Sequence, residues 1–272
     1  MEDIVARLGR IALIGGGKMG EAIIAGLVNG ALFDPTTIVV AEPGEERREF
    51  LETTYGIETV EDGGQIKYPD TVILAVKPQT LRDVSGRLSG EVDFNPQRIV
   101  SIAAGVTTAT LSELFPQAAI IRVMPNAPLM VGAGMSAVAV AEQTARAEGE
   151  LICDLFSLMG EAVLLDESLL NAATAINGSG PAYFALFVRE LTAAAIEVGL
   201  PPREAAQLAL QTMVGTSRYL ELTEQSPQQL MDAVTSPNGT TQAALESFMG
   251  NGFDTIVRQA VHAAVRRAEE LA

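Results

Sequence analysis

Short apolar runs and helical stretches alternate along the first half of the chain. Each run is apolar throughout rather than at every second position, which is typical of strands covered on both faces, as in a parallel sheet. Helical stretches such as Glu21–Val28 and Glu45–Thr54 separate the runs, so the pattern predicts a doubly wound, mostly parallel α/β sheet. The predicted strands are Ile11–Ile14, Ile38–Val40, Val72–Val76, Ile99–Ile102, Ile120–Val123 and Ala137–Val140.

The second half has a different pattern, in which the strand signals stop at about Ser168. Segments rich in Ala and Leu follow, and several begin with a proline, whose missing N–H costs nothing in the first helical turn. We therefore predict an α/β domain over residues 1–165 and an all-α domain over residues 166–272. The predicted helices of the second domain are Pro181–Val198, Pro202–Leu222, Pro227–Val234, Thr240–Met249 and Phe253–Leu271.

The predicted helices of the second domain are unusually apolar. A helix that is apolar nearly all round is buried on most sides, and a domain of about a hundred residues offers little of its own chain as cover. We therefore expect a homodimer, or a larger homo-oligomer built from dimers. The helix that begins at Pro181 shows the pattern best, with Tyr183, Phe184, Leu186, Phe187, Val188, Leu191 and Ile196.

The composition of the chain limits the kinds of partner and the cellular compartment that we expect for it. Acidic residues number 34 and basic residues 18, for a net charge of −16, which repels nucleic acid phosphates and anionic membrane surfaces. The lone cysteine, Cys153, is predicted to be a buried core thiol in a reducing compartment. No apolar run approaches the roughly 20 residues of a membrane span, and Met1-Glu2-Asp3 does not open a signal peptide. We therefore expect a cytoplasmic protein without a nucleic acid, membrane or metal partner.

A glycine-rich turn carries the first chemical signal. Residues 15–20 fit G-x-G-x-x-G directly after the first predicted strand and at the start of a helix. Gly15 allows the tight turn, Gly17 the close approach of a pyrophosphate, and Gly20 the packing of the helix against the strand. The helix N-terminus then presents free N–H groups to the phosphates. In this context the pattern predicts a nicotinamide dinucleotide site in a Rossmann domain.

Two features concern the identity of the dinucleotide. Glu42 ends the second predicted strand 22 residues after Gly20, where an acid accepts hydrogen bonds from the ribose hydroxyls of NAD. Arg47 and Arg48 follow, and an arginine in this region could instead pair with the 2′-phosphate of NADP. The sequence favours NADH slightly and leaves both NADH and NADPH open.

Other candidate residues lie in loops. Lys77-Pro78 and Ala103-Ala104-Gly105 follow strands, and they are either walls for the ribose and nicotinamide or ordinary strand-to-helix loops. The loops Asn177–Pro181 and Thr235–Thr241 interrupt apolar helices. The second loop puts Gly239–Thr241 at a helix start, where N–H groups and two hydroxyls would hold a carboxylate unless the loop is a simple connector.

At these residues the sequence resembles the pyrroline-5-carboxylate reductase family, along essentially its whole length. The glycine pattern occurs in many dehydrogenases, whereas the motif Asp232–Thr241 is specific to this family. The motifs that carry the resemblance are Ile14–Met19, Leu74–Gln79, Ser101–Val106, Arg122–Asn126, Val131–Met135, Gly178–Tyr183 and Asp232–Thr241.

The resemblance implies the reduction of 1-pyrroline-5-carboxylate to L-proline by NADPH or NADH, the last step of proline biosynthesis. It implies a Rossmann domain, a helical dimerisation domain, and Thr241 as the catalytic threonine whose hydroxyl meets the ring nitrogen. The implied substrate-binding residues are Glu167, Ser236, Gly239, Thr240 and Thr241. The predicted cofactor-binding residues are Gly15, Gly17, Lys18, Met19, Gly20, Glu42, Ala75, Val76, Lys77, Pro78 and Ala103.

Three positions depart from the family pattern. Asn238 replaces a usual glycine, but Asn tolerates positive φ better than most residues, so we expect the turn to persist. Asn177 replaces a usual serine. Asp62 stands where many members carry an asparagine near the adenosine, which leaves the cofactor preference open.

The implied chemistry is hydride transfer to the imine carbon, which needs no strong protein acid once the imine is protonated. The one histidine, His262, is accordingly predicted to be solvated or packed against a helix. A rival assignment is a 3-hydroxyacid dehydrogenase, which needs a catalytic lysine in the helical domain, but no lysine follows Lys77. A second rival is a non-catalytic dinucleotide or proline sensor, which should have lost part of the loop Ser236–Thr241.

Overall fold

The computed structural model describes residues 2–29, 33–88, 91 and 93–271. Its centre is an eight-stranded sheet with the strand order β3-β2-β1-β4-β5-β6-β7-β8. All neighbouring strands run parallel except β6 and β7, so the predicted doubly wound, mostly parallel sheet is confirmed. The strands are β1 Ile11–Ile14, β2 Ile38–Ala41, β3 Glu58–Val60, β4 Thr71–Leu74, β5 Arg98–Ser101, β6 Ala119–Met124, β7 Gly134–Val140 and β8 Gly160–Leu164.

Helices cover both faces of the sheet, and the central strands are buried on both sides. On β1, Ile11 and Leu13 join one apolar cluster while Ala12 and Ile14 join another. The continuous apolarity of the predicted strands is explained by this double burial. The helices in this part are α1 Glu2–Leu8, α2 Lys18–Asn29, α3 Glu45–Tyr55, α4 Pro78–Leu88, α5 Thr108–Leu114, α6 Arg146–Ser157 and α7 Leu170–Ala173.

The strands β3 and β8 were not predicted, and both are edge strands of the sheet. The side chains of β3 are exposed or half-buried, and those of β8 alternate between half-buried and exposed. An edge strand has a neighbour on one side only, so neither segment needs the continuous apolar run that predicted the inner strands.

The remainder of the chain is helical, as predicted. Contacts divide the chain into one compact unit that extends to Ser179 and includes the residues from Ala264, and a second unit, Gly180–Ala263. The first is called the sheet unit below and the second the helical unit. No helix in the described part of the chain is long and apolar enough to cross a membrane. The helices are α8 Gly180–Glu197, α9 Pro202–Thr223, α10 Pro227–Val234, α11 Thr240–Gly250 and α12 Phe253–Leu271.

The helical unit leaves large apolar side chains exposed in the single chain. Phe184 is 64% exposed, Val198 83% and Leu222 72%, whereas the buried residues of α8 and α9 are only Gly180, Ala205 and Ala209. Apolar surface of this extent needs cover by another chain. This is the distribution expected for a helical domain that is buried in a homo-oligomer.

A partly buried ion pair joins three elements of the sheet unit. Arg122, the single charge in β6, has a side chain only 6% exposed, and its Nη1 donates to Glu167 Oε1 at 2.6 Å. Glu167 also accepts the Thr108 N–H at 2.7 Å and a short hydrogen bond from the Thr108 hydroxyl. The pair therefore holds the start of α5 and the segment after β8 against β6.

These contacts change the acidity of Glu167. Burial by itself would raise the pKa of this carboxyl, but the hydrogen bonds from Thr108 and the charge of Arg122 outweigh burial and lower the pKa below its usual value. A lowered pKa in the folded state means that the ionised carboxylate stabilises the fold. Its contribution is complete above the unfolded pKa of about 4.3 and is lost as the pH falls through the folded pKa.

We predict that Glu167→Gln lowers the free energy of unfolding at neutral pH by about 2 kcal/mol, because Arg122 loses its charged partner. Urea unfolding of wild type and variant from about pH 7 to pH 3 should show the difference shrinking below about pH 4. Glu161→Gln, which removes an exposed carboxylate from β8, is the matched control and should change little. A difference between Glu167→Gln and wild type that does not depend on pH would contradict the ionic role.

Candidate active site

The carboxyl ends of the central strands meet along one edge of the sheet. Backbone hydrogen bonds continue beyond the strand ends, from the N–H of Gly15 to the Ala41 carbonyl at 2.9 Å and from the N–H of Ala75 to the Ile14 carbonyl at 2.9 Å. The N–H of Ile102 likewise donates to the Leu74 carbonyl at 3.1 Å. The glycine turn, Ala75 and the segment before Ala103 are thus brought together where ligands bind on sheets of this kind.

The glycine turn fits a dinucleotide. A Cβ on Gly20 would lie 2.3 Å from the Gly15 carbonyl oxygen, so only glycine lets α2 pack this closely on the turn. A Cβ on Gly17 would meet nothing within 4 Å, which leaves open space beside the backbone. This is the arrangement in which a pyrophosphate approaches the main chain.

The start of α2 faces this open space with unpaired donors. The first backbone hydrogen bond of the helix runs from Glu21 N–H to the Gly17 carbonyl at 2.8 Å, so the N–H groups of Lys18, Met19 and Gly20 precede the intrahelical ladder. Lys18 is exposed, whereas Met19 packs partly against the core. The turn therefore offers phosphate oxygens several N–H donors and the positive end of the helix.

Glu42 lies beside the glycine turn, directly after β2. Its Oε2 accepts the Gly16 N–H at 2.9 Å and its Oε1 accepts the Gly44 N–H at 3.0 Å. Two backbone donors therefore hold the carboxylate at the place where the sequence predicts the ribose of the dinucleotide.

The remaining predicted cofactor residues follow β4 and β5. Ala75 and Val76 are half-buried, Lys77 is exposed, and Pro78 begins α4. Ala103 is 4% exposed and its N–H donates to the Ser101 hydroxyl at 3.3 Å. Among the described residues no cluster of His, Cys, Asp or Glu is arranged to hold a metal ion.

In the helical unit, the predicted substrate loop ends at the start of α11. Gly239 is the cap residue of this helix and has no side chain to occupy the first-turn N–H groups. A Cβ at this position would lie 2.4 Å from Ser236 Oγ, so the fold of the loop requires glycine there. Asn238 has φ 58°, which confirms that asparagine adopts the left-handed turn.

The start of α11 contrasts with that of the preceding helix. At α10, Ser226 and Gln229 form a complete capping box. At α11, Gln242 Oε1 accepts the N–H of Asn238, the residue before the cap, at 2.8 Å, and no side chain caps the N–H groups of the helix. The N–H groups at Thr240 and Thr241 are therefore open to an acceptor from outside the helix. Thr240 is exposed and Thr241 is half-buried.

The other predicted substrate residue, Glu167, belongs to the sheet unit and not to the helical unit. Its carboxylate already accepts hydrogen bonds from Thr108 and Arg122. Sequence reasoning missed these partners. A signal was present, since an arginine within the apolar run of β6 requires a buried acceptor. The role of Glu167 toward a substrate stays a prediction.

Two asparagines form hydrogen bonds at the end of β6, and sequence reasoning did not connect them. Asn177 lies in a π-helical turn, Thr174–Gly178, and its Nδ2 donates to the carbonyls of Met124 at 2.7 Å and Met135 at 3.0 Å. Asn126 Nδ2 donates to the Asn177 carbonyl at 3.1 Å. These bonds satisfy the backbone at the end of β6 and fix the turn that leads into α8.

Comparison with known families agrees with the two-part architecture. Residues 167–271 match the family model described as pyrroline-5-carboxylate reductase dimerisation, and the match accounts for the exposed apolar helices as part of a homo-oligomer. Residues 10–105 match the model described as NADP oxidoreductase, coenzyme F420-dependent. The chain thus combines a dinucleotide-binding oxidoreductase domain with a dimerisation domain.

Individual relatives extend the similarity over nearly the whole chain. A pyrroline-5-carboxylate reductase of Synechocystis sp. is 40% identical over 96% of this chain and 98% of its own, and one of Pseudomonas aeruginosa is 39% identical over 97% of each. The solved structure of the Coxiella burnetii enzyme superposes with a TM-score of 0.90 at 32% identity, covering 97% of this chain and 99% of the other. The structure of Plasmodium falciparum pyrroline carboxylate reductase with NADP bound has a TM-score of 0.82 at 26% identity, covering 97% and 98%. The chain belongs to the pyrroline-5-carboxylate reductase family.

Proposed function

We propose that this protein reduces the C=N bond of 1-pyrroline-5-carboxylate to give L-proline, the last step of proline biosynthesis, with NADPH or NADH as the reductant. The observation that carries the proposal is the uncapped start of α11, where the family motif Asp232–Thr241 presents open N–H groups. A carboxylate is the ligand that such a helix start favours.

Each part of the loop has a separate role in this proposal. The N–H groups of Thr240 and Thr241 hold the substrate carboxylate. Gly239, whose own N–H donates to the Ser236 carbonyl at 2.9 Å, leaves room for that carboxylate, and the Ser236 hydroxyl supplies a further donor. The Thr241 hydroxyl orients the ring nitrogen as its charge changes during the reaction. When bound, the reduced dinucleotide supplies a hydride to the imine carbon. The N–H groups of Gly17–Gly20 hold its pyrophosphate, while Ala75–Pro78 and Ala103 line the ribose and nicotinamide.

The protein acts on a small molecule in this proposal, and its partners are further copies of the same chain. The net charge of −16 disfavours nucleic acid and anionic membranes as partners. The single cysteine suits the reducing cytoplasm. Cys153 is half-buried and not the fully buried thiol predicted from the sequence. Burial raises the pKa of its thiol to about 11, so little of the nucleophilic thiolate is present at neutral pH.

The direct test of the activity is to add 1-pyrroline-5-carboxylate to the protein with NADH or NADPH. We predict oxidation of the dinucleotide in equal amount to the L-proline formed, measured by absorbance and by mass spectrometry. Calorimetric binding of the dinucleotide without turnover of the imine would instead favour a non-catalytic sensor and refute the proposed activity.

We predict that Thr241→Ala lowers kcat/KM for the imine by about 10- to 100-fold, because one polar contact worth about 1.4–2.7 kcal/mol is lost in the transition state. Thr241→Ser, which keeps the hydroxyl, should recover most of the activity. Thr53→Ala makes the same change at an exposed position on α3 and serves as the control. Unchanged kinetics of Thr241→Ala would remove this residue from the mechanism.

A further inference from the structure

The carboxylate of Glu42 is fixed at the edge of the glycine turn. It accepts the Gly16 N–H through Oε2 and the Gly44 N–H through Oε1. A carboxylate has about four acceptor positions, so it still has capacity for ribose hydroxyls. The backbone fixes the position of this carboxylate before any ligand arrives.

A 2′-phosphate at this position would meet that carboxylate directly. A phosphate monoester carries about −1.5 to −2 charges at neutral pH, and like charges in contact repel one another unless a cation lies between them. A protein that accepts NADPH here therefore needs a free arginine or lysine beside the ribose.

The Arg47 side chain is hydrogen-bonded to the glycine turn. Its Nε donates to the Gly16 carbonyl at 2.6 Å, and its Nη2 pairs with Glu21 Oε2 at 2.6 Å. The guanidinium also lies over the ring of Phe50, 5.0 Å from its centre. Turning this side chain toward a phosphate would break the contacts that hold the turn in place.

The Arg48 side chain is hydrogen-bonded to the backbone of the segment after β2. Its Nη1 donates to the carbonyls of Glu42 at 2.9 Å and Pro43 at 2.8 Å. These bonds fix the backbone that carries the Glu42 carboxylate. Arg48 thus supports the acid instead of neutralising a phosphate.

The surrounding charges reinforce this arrangement. Glu45 and Glu46 occupy the first turn of α3, so the positive end of that helix already has acidic neighbours. Beyond β3, Arg87 forms an ion pair with Asp62 at 3.1 Å, so this arginine of the sheet unit also has an acidic partner.

From these contacts we infer that the protein discriminates in favour of NADH and against NADPH, with Glu42 as the residue that determines specificity. This inference rests on the proposed function in one respect, because turnover of the imine is one of the two quantities measured in its test. The other readout, binding of each dinucleotide without imine, is independent of that function.

The test compares NADH and NADPH by isothermal titration calorimetry and by kcat/KM with 1-pyrroline-5-carboxylate. The wild type should bind NADH at least about tenfold more tightly than NADPH and show a similar ratio in kcat/KM. Glu42→Gln keeps an oxygen for the Gly16 N–H but removes the charge, and Glu42→Ser removes both. Both variants should reduce the ratio by about tenfold, mainly through KM for the dinucleotide.

Glu49→Gln removes an exposed carboxylate from the same helix as Arg47 and Arg48, and this control should keep the wild-type ratio. Equal or tighter binding of NADPH by the wild type would overturn the inference, as would an unchanged ratio in both Glu42 variants. A wild type that prefers NADH but does not turn over the imine would refute the proposed function alone. A wild type that reduces the imine equally with both dinucleotides would refute the specificity alone.

Discussion

The N–H groups in the first turn of a helix have no partner within the helix, and this constraint shapes the candidate binding residues in each of the two units. At α10 the protein satisfies them with its own Ser226 and Gln229. At α2 and α11 a glycine precedes the helix instead, and the donors remain available. Under the proposed function these two helix starts hold anionic groups, a pyrophosphate at one and a carboxylate at the other. Local N–H donors of this kind would let a protein with a net charge of −16 bind two negatively charged ligands.

The structure around each helix start keeps it open. In the sheet unit, Glu42 and Arg47 hold the two sides of Gly16 through its N–H and its carbonyl. In the helical unit, Ser236 fills the space that a side chain at position 239 would need. In both cases a polar side chain binds or packs against the glycine segment, so the open N–H groups depend on these side chains as well as on the glycines. Mutations of these side chains are expected to affect ligand binding as much as mutations of the glycines.

Much of the fold follows from local pattern. The inner strands were predicted because double burial requires continuous apolarity, and helices of the second half, such as α10 and α12, begin and end where proline and the helical period indicate. The edge strands β3 and β8 escaped prediction because a half-covered strand carries no such run. The left-handed Asn238 was predictable because few other residue types accept its conformation.

The parts of the site that could not be predicted depend on contacts between distant segments. An arginine in an apolar strand, such as Arg122, indicates an acceptor nearby in the fold. The surrounding sequence does not show that this acceptor is Glu167, 45 residues away. Arg47 and Arg48 were equally compatible with a phosphate until their hydrogen bonds to the backbone were known. Residue type and spacing therefore located the cofactor turn, whereas the direction of each charged side chain required the folded structure.

Binding of the substrate carboxylate at the open start of α11 can be tested by changing the substrate instead of the protein. Reduction of 1-pyrroline, which has the same ring and C=N bond without the carboxylate, should be compared with that of 1-pyrroline-5-carboxylate under identical conditions. We expect kcat/KM to be about 100-fold lower or more for 1-pyrroline, because charge-assisted hydrogen bonds to the helix start are lost. Comparable kcat/KM values for the two imines would show that the start of α11 does not bind the carboxylate.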